Sequence, residues 1–182
     1  VGIWSPNRVE WCLTQFATEK IGAIMVCINP AYRLYELEYA LNKVECKAVI
    51  AAESFKTSRY LEMLQTLAPE LNQCEPGALQ AAKVPHLKSV VRMGTKKTQG
   101  MFNFDEVCQM GDGPAYERMA EIAATLQPDD AINIQFTSGT TGNPKGATLS
   151  HFNILNNGLQ VGAGMRLTTE DRLCIPVPLY HC

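Results

Sequence analysis

The sequence predicts an α/β fold, a mostly parallel sheet flanked by helices. Three observations carry that prediction. Strand-like and helix-like segments alternate through the first seventy or so residues. The strand-like segments at 23–28 and 48–52 are apolar without alternation, as strands covered on both faces are. Hydrophobic residues make up 46% and charged residues 19% of the 182 positions, which suits a packed core and excludes a disordered chain.

The elements follow in order. Residues 1–4 read as a short strand. Ser5-Pro6-Asn7 opens a helix, with capping-box spacing from Asn7 to Glu10. Val9, Leu13, Phe16, Ala17 and Ile21 supply its apolar period, and Gly22 closes it. The strand at 23–28 ends at Asn29-Pro30, and Leu34, Leu37, Leu41 and Val44 mark a second helix. Residues 48–52 form the next strand. Ser54 can cap a third helix carrying Tyr60, Leu61, Leu64 and Leu67, stopped by Pro69. Residues 72–85 look like a loop with a helical turn, 89–93 like a strand, and 94–100 like a solvated polar turn. Residues 116–126 form an amphipathic helix and 132–136 a strand. A returning strand at 146–149, a helix at 152–164 and a last strand at 172–177 complete the series. Trp4 and Trp11 read as core residues.

Composition narrows the function. The net charge is −2 and no Lys/Arg-rich run occurs, so no nucleic-acid partner is expected. No apolar run is long enough for a transmembrane segment. The seven cysteines are scattered and form no C-x-x-C pair, which favours reduced thiols over a disulfide framework or a zinc site. No metal-ligand spacing appears. Both ends look cut rather than natural: the chain opens on Val1 within a strand-like segment and stops at Cys182 just after another.

The stretch Thr137-Ser138-Gly139-Thr140-Thr141-Gly142-Asn143-Pro144-Lys145-Gly146 carries the chemistry. Glycines let backbone N–H groups approach an anion, hydroxyls donate further hydrogen bonds, and Lys145 supplies a full charge. Such a loop suits a polyphosphate. It is not a Walker loop, because Pro144 stands where the second glycine belongs and Gly146 where the magnesium-binding hydroxyl belongs. An ammonium about 4 Å from a phosphate charge contributes roughly 4 kcal/mol at an effective dielectric near 20, before desolvation.

This stretch resembles the signature loop of adenylate-forming enzymes, the superfamily of acyl-CoA synthetases, luciferases and peptide-synthetase adenylation domains. Trp4-Ser5-Pro6-Asn7, Glu10-Trp11, Gly22-Ala23 and Ile28-Asn29-Pro30-Ala31-Tyr32 resemble the front of acyl-CoA synthetases, and the Glu36-Leu37-Glu38-Tyr39 helix resembles their fatty-acid-using branch. Pro178-Leu179-Tyr180-His181 resembles the family's Pro-Leu-x-His element. The likeness is strong at both ends and weaker between about residues 54 and 125.

The resemblance implies an incomplete N-terminal (AMP-binding) domain over residues 1–182, with no complete second domain. It implies a parent enzyme that activates a medium-chain carboxylic acid with ATP to acyl-AMP, releases pyrophosphate, and transfers the acyl group to coenzyme A. ATP would arrive with Mg2+, and the partners would be the small molecules fatty acid, ATP and CoA. Thr137, Ser138, Gly139, Thr140, Thr141, Gly142, Asn143, Pro144 and Lys145 would hold the ATP phosphates. Tyr180 and His181 would line the acyl and carboxylate pocket, and no complete catalytic set lies in this segment. A mitochondrial location is implied in the same way. Two alternatives stay open: another acid-adenylating enzyme using an aryl or amino acid, and a non-catalytic truncated product acting as a binding module through exposed strand edges.

Overall fold

The computed structural model describes residues 1–137 and 143–181. Among them a single seven-stranded sheet runs in the order β5-β4-β3-β1-β2-β6-β7. Its strands are β1 (Gly2–Trp4), β2 (Met25–Cys27), β3 (Ala48–Ala51), β4 (Ser89–Arg92), β5 (Met101–Asn103), β6 (Ala131–Thr137) and β7 (Lys145–Ser150). The first five neighbour pairs are parallel and only β6–β7 is antiparallel, as the apolar, non-alternating strands predict.

The helices α1 (Val9–Lys20), α2 (Leu34–Lys43) and α3 (Tyr60–Leu67) connect the first four strands. The crossover from β1 to β2 runs one way and that from β2 to β3 the other, so strand order reverses at β1. Right-handed crossovers then put α1 on one face of the sheet and α2 and α3 on the other. Farther along lie α4 (Phe104–Gln109), α5 (Gly113–Ala123) and α6 (His151–Gly164), with α1 packed against α5.

Several sequence expectations are corrected. Helix α1 begins at Val9 with Arg8 at its N-cap, and no side chain caps it. Asn7 is engaged elsewhere, while Glu10 pairs with Arg8 at 2.8 Å, which holds the Glu10 carboxyl below its usual range. The apolar period in α1 is real but faces outward. Trp11, Thr14 and Thr18 are the buried residues, whereas Val9, Leu13 and Phe16 are 69%, 52% and 61% exposed. Thr14 and Thr18 tolerate burial because their hydroxyls donate to the Glu10 and Thr14 carbonyls one turn back. Gly22 does close the helix. Its φ of +65° allows a Schellman turn in which the Ala23 N–H reaches the Thr18 carbonyl.

Ser54 does not cap α3. Phe55 and Ser58 exchange two backbone hydrogen bonds in a tight turn, which delays the helix to Tyr60. Helix α5 starts at Gly113, earlier than expected, because the Asp112 side chain accepts from the Ala115 N–H. Residues 172–177 are not a strand. Leu173, Ile175 and Val177 keep the alternation of one but are 58%, 54% and 49% exposed, and 172–177 do not join the sheet among the described residues. Strand β5 and helix α4 are not expected from sequence; a three-residue strand gives too little periodicity to read.

The core is built around Trp4, which is fully buried and stacks on the equally buried Tyr60 with ring centroids 4.0 Å apart. Both rings use their polar atoms on the loop after β2. Trp4 Nε1 donates to the Asn29 carbonyl at 3.1 Å and the Tyr60 hydroxyl donates to the Pro30 carbonyl at 2.8 Å. Burial pushes the Tyr60 hydroxyl up to about 12. A hydroxyl whose folded value lies above its unfolded value stabilises the fold at every pH below the unfolded value, about 10. That contribution is lost as pH rises through 10 towards 12. Urea unfolding as a function of pH should therefore show stability falling in that window, with a shallower fall in Tyr60→Phe. The variant should also be about 1–2 kcal/mol less stable at neutral pH, because it leaves the Pro30 carbonyl unpaired.

Candidate functional site

The carboxyl ends of β1, β2, β3 and β6 share one edge of the sheet, because these strands are parallel. Neighbouring strands stand about 4.8 Å apart, so the loop leaving β6 is rooted roughly 10 Å from the loop leaving β1.

The expected phosphate loop joins β6 to β7. Thr137 ends β6 and pairs with Lys145, the first residue of β7, and the Thr137 hydroxyl donates to the Lys145 carbonyl at 3.4 Å. Ser138, Gly139, Thr140, Thr141 and Gly142 lie outside the described residues. Thr137, Asn143 and Lys145 are exposed and Pro144 is half-buried. The Pro144 carbonyl accepts from the Tyr39 hydroxyl of α2 at 3.3 Å, which ties one arm of the loop to a helix. Gly146 follows in the ladder opposite Phe136, and a Cβ there would come within 3.0 Å of Ile134 Cγ2. The glycine after the lysine thus suits the close approach of β7 to β6.

At the same edge of the sheet is a crevice of about 470 Å³. Its walls are the loops after β1 (Ser5, Pro6, Asn7), β2 (Asn29, Pro30, Ala31, Arg33) and β3 (Phe55, Lys56, Thr57, Ser58), with Pro176, Pro178 and Tyr180 across from them. The strand order reverses at β1, and open parallel sheets place their ligand crevices at such a switch point. Arg33 and Lys56 are exposed on the rim. Arg33 lies 3.4 Å from the Thr57 hydroxyl, and the Lys56 ammonium sits 5.4 Å from the centre of the Phe55 ring. The rim is therefore cationic over an apolar floor.

Tyr180 and His181 lie together in a short 3-10 turn, Leu179–His181. Their rings are 4.0 Å apart at a tilt of 36°. Tyr180 is half-buried and packs against the core, and His181 is exposed. Tyr180 borders the crevice.

Tyr32 joins the two regions. Its ring meets Phe136 of β6 edge-on at 6.4 Å. Its hydroxyl is pushed up to about 12, chiefly by burial, with Glu36, Tyr180 and Tyr39 acting in the same direction. Sequence reasoning misses Tyr32, Tyr39 and Asn7 as site residues. Asn7 carries the signature of a helix cap, and the tyrosines look like ordinary members of an amphipathic segment. The signals that point to them are the Trp4-Ser5-Pro6-Asn7, Asn29-Pro30-Ala31-Tyr32 and Glu36-Leu37-Glu38-Tyr39 runs that resemble acyl-CoA synthetases.

His151 follows the Ser150 cap at the start of α6. His86 stands 3.4 Å from Lys47 and 3.9 Å from Glu45 on the surface. Among the described residues no group of three His, Cys, Asp or Glu side chains could hold a metal ion. None of the helices among the described residues is long and apolar enough to cross a membrane.

The sequence matches the AMP-binding enzyme family over residues 1–182. It is 46% identical over 186 residues to the medium-chain acyl-CoA ligase ACSF2, mitochondrial, of Danio rerio, covering 100% of this chain and 30% of that protein. It is 40% identical over 182 residues to the YngI protein of Bacillus subtilis (strain 168), covering 100% of this chain and 33% of the other. The chain thus spans about a third of the length of these relatives. Among solved structures, the acetoacetyl-CoA synthetase of Streptomyces lividans superposes with a TM-score of 0.76 at 19% identity, over 99% of this chain and 26% of that one. ATP-bound MatB of Rhodopseudomonas palustris gives 0.64 at 26% identity, over 99% and 30%. The doubly wound sheet is the fold these proteins share, the glycine- and hydroxyl-rich stretch is rooted at its carboxyl edge, and the chain belongs to the AMP-binding enzyme family.

Proposed function

We propose that this chain is part of an acyl-CoA ligase that activates a medium-chain carboxylic acid with ATP to acyl-AMP and passes the acyl group to coenzyme A. Residues 1–182 would be a partial N-terminal, AMP-binding domain of that enzyme. The observation that carries the proposal is that β6, ending at Thr137, runs parallel to β2 and so points to the same carboxyl edge of the sheet as the loops lining the crevice, which has Arg33 and Lys56 on its rim. In this assignment 137–145 hold the ATP phosphates, with Lys145 stabilising the charge that builds on the departing pyrophosphate. Tyr180 and His181 border the acid, and the Arg33 and Lys56 rim receives an anionic substrate. The ACSF2 relatives favour a medium-chain acid over the aryl or amino acids of other adenylating enzymes. A mitochondrial location rests on the names of those relatives and would be removed by finding the tagged protein elsewhere.

Pyrophosphate release measured across a panel of acids tests the proposal on the enzyme that carries this chain. Activity should peak with acids of about octanoate's length, fall with aryl and amino acids, and be absent from isolated residues 1–182. Equal rates with all acids, or ATP turnover without any acid, would contradict it.

A further inference from the structure

Asn7 is the residue whose sequence role and structural role differ most. It does not cap α1. Its Nδ2 donates to the Val177 carbonyl at 2.9 Å, and its Oδ1 accepts from the Leu179 N–H at 2.8 Å. One side-chain amide thus grips the backbone on both sides of Pro178, in the way a neighbouring strand would, across about 170 residues of sequence. Just before the grip, the Leu173, Ile175 and Val177 side chains are about half exposed or more. Immediately after the grip come Tyr180, packed on the core, and His181, whose ring lies 4.0 Å from that of Tyr180 at a tilt of 36°. Asn7 leaves the carboxyl end of β1, the point where strand order reverses, so it has a rigid base.

We propose that Asn7 is a positioning residue that fixes the Pro178–His181 turn against the crevice. This inference rests on the function proposed above, in which that turn borders the acid. Only an amide can make this grip, because it offers a donor and an acceptor side by side. A carboxylate keeps the Leu179 contact but turns an oxygen towards the Val177 carbonyl, and alanine loses both bonds. The two bonds together correspond to roughly a tenfold or larger shift in how often the turn opens.

Hydrogen exchange of wild-type, Asn7→Ala and Asn7→Asp chains reads the clamp without any activity. The Leu179 amide should exchange about tenfold faster or more in Asn7→Ala. Asn7→Asp should fall between the two, and the Val49 and Val90 amides should be unchanged, which shows that the sheet has folded. Kinetics on the enzyme that carries the chain supply the second arm. Asn7→Ala should raise KM for the acid about tenfold while leaving KM for ATP within about twofold, and Asn7→Asp should recover part of the loss. A structural defect alone would lower the active fraction without moving KM. Unchanged Leu179 exchange, or an unchanged KM for the acid in an active enzyme, overturns the role of Asn7. A wild-type enzyme with no acid-dependent turnover overturns the proposed function, and the assignment of Asn7 to substrate positioning with it.

Discussion

Lys145→Met in the enzyme that carries this chain is expected to slow acid-dependent pyrophosphate release by about a hundredfold or more. The unscreened interaction of an ammonium with phosphate charge is roughly 4 kcal/mol at an effective dielectric near 20, and desolvation removes part of it. The remainder acts mainly where charge develops on the leaving pyrophosphate, so the loss should fall on kcat more than on KM for ATP. Adding Gly142→Ala to the same loop should abolish adenylate formation. The fold should not register the lysine change, because the Lys145 side chain is exposed at the start of an edge strand, and such substitutions stay within about 0.5 kcal/mol. Urea unfolding alongside the kinetics separates the two effects. A Lys145→Met enzyme with full turnover would remove the lysine from the chemistry.

Trp4→Ala should produce the largest change in stability, a loss of about 3–5 kcal/mol measured by denaturant unfolding. Trp4 is fully buried, so its removal leaves a cavity beneath the Tyr60 ring. It also frees the Asn29 carbonyl from its indole donor. Typical domains hold only about 5–15 kcal/mol in all, so a large share of the margin would go. The loss should not add to that of Tyr60→Ala, because the rings touch and both tether the loop after β2; the double variant should cost less than the sum. A change below about 1 kcal/mol would mean that the stack is not where the core gains its stability. The same tryptophan links the interior to the crevice, because its indole donates to the carbonyl of Asn29, one of the lining residues.

The parallel sheet is legible in the sequence because burial on both faces leaves continuous apolar runs, as at Met25-Val26-Cys27. The stretch proposed to hold the phosphates stands out because its features are local: hydroxyls, glycines and a lysine occupy adjacent positions and need no partner to be noticed. Contacts that cross the fold are not legible. Asn7 satisfies a rule for helix starts, and nothing near it in sequence announces carbonyl and amide partners at Val177 and Leu179. The helical period of α1 marks a helix but not which side meets the sheet, since Thr14 and Thr18 hide their hydroxyls in the helix itself. Residues 172–177 alternate like a strand, yet a strand exists only where another edge is free to pair. Tyr39 and Tyr32 acquire their places only once α2 packs beside the β6–β7 hairpin.

A crystal structure of the enzyme that carries this chain, bound to a non-hydrolysable ATP analogue, tests the central claim most directly. The bend between β6 and β7 should wrap the β and γ phosphates with its backbone amides and hydroxyls, and Lys145 Nζ should lie about 3 Å from a phosphate oxygen, the distance of a charge-assisted hydrogen bond. A triphosphate held by other residues, with this bend and Lys145 turned away into solvent, would contradict it.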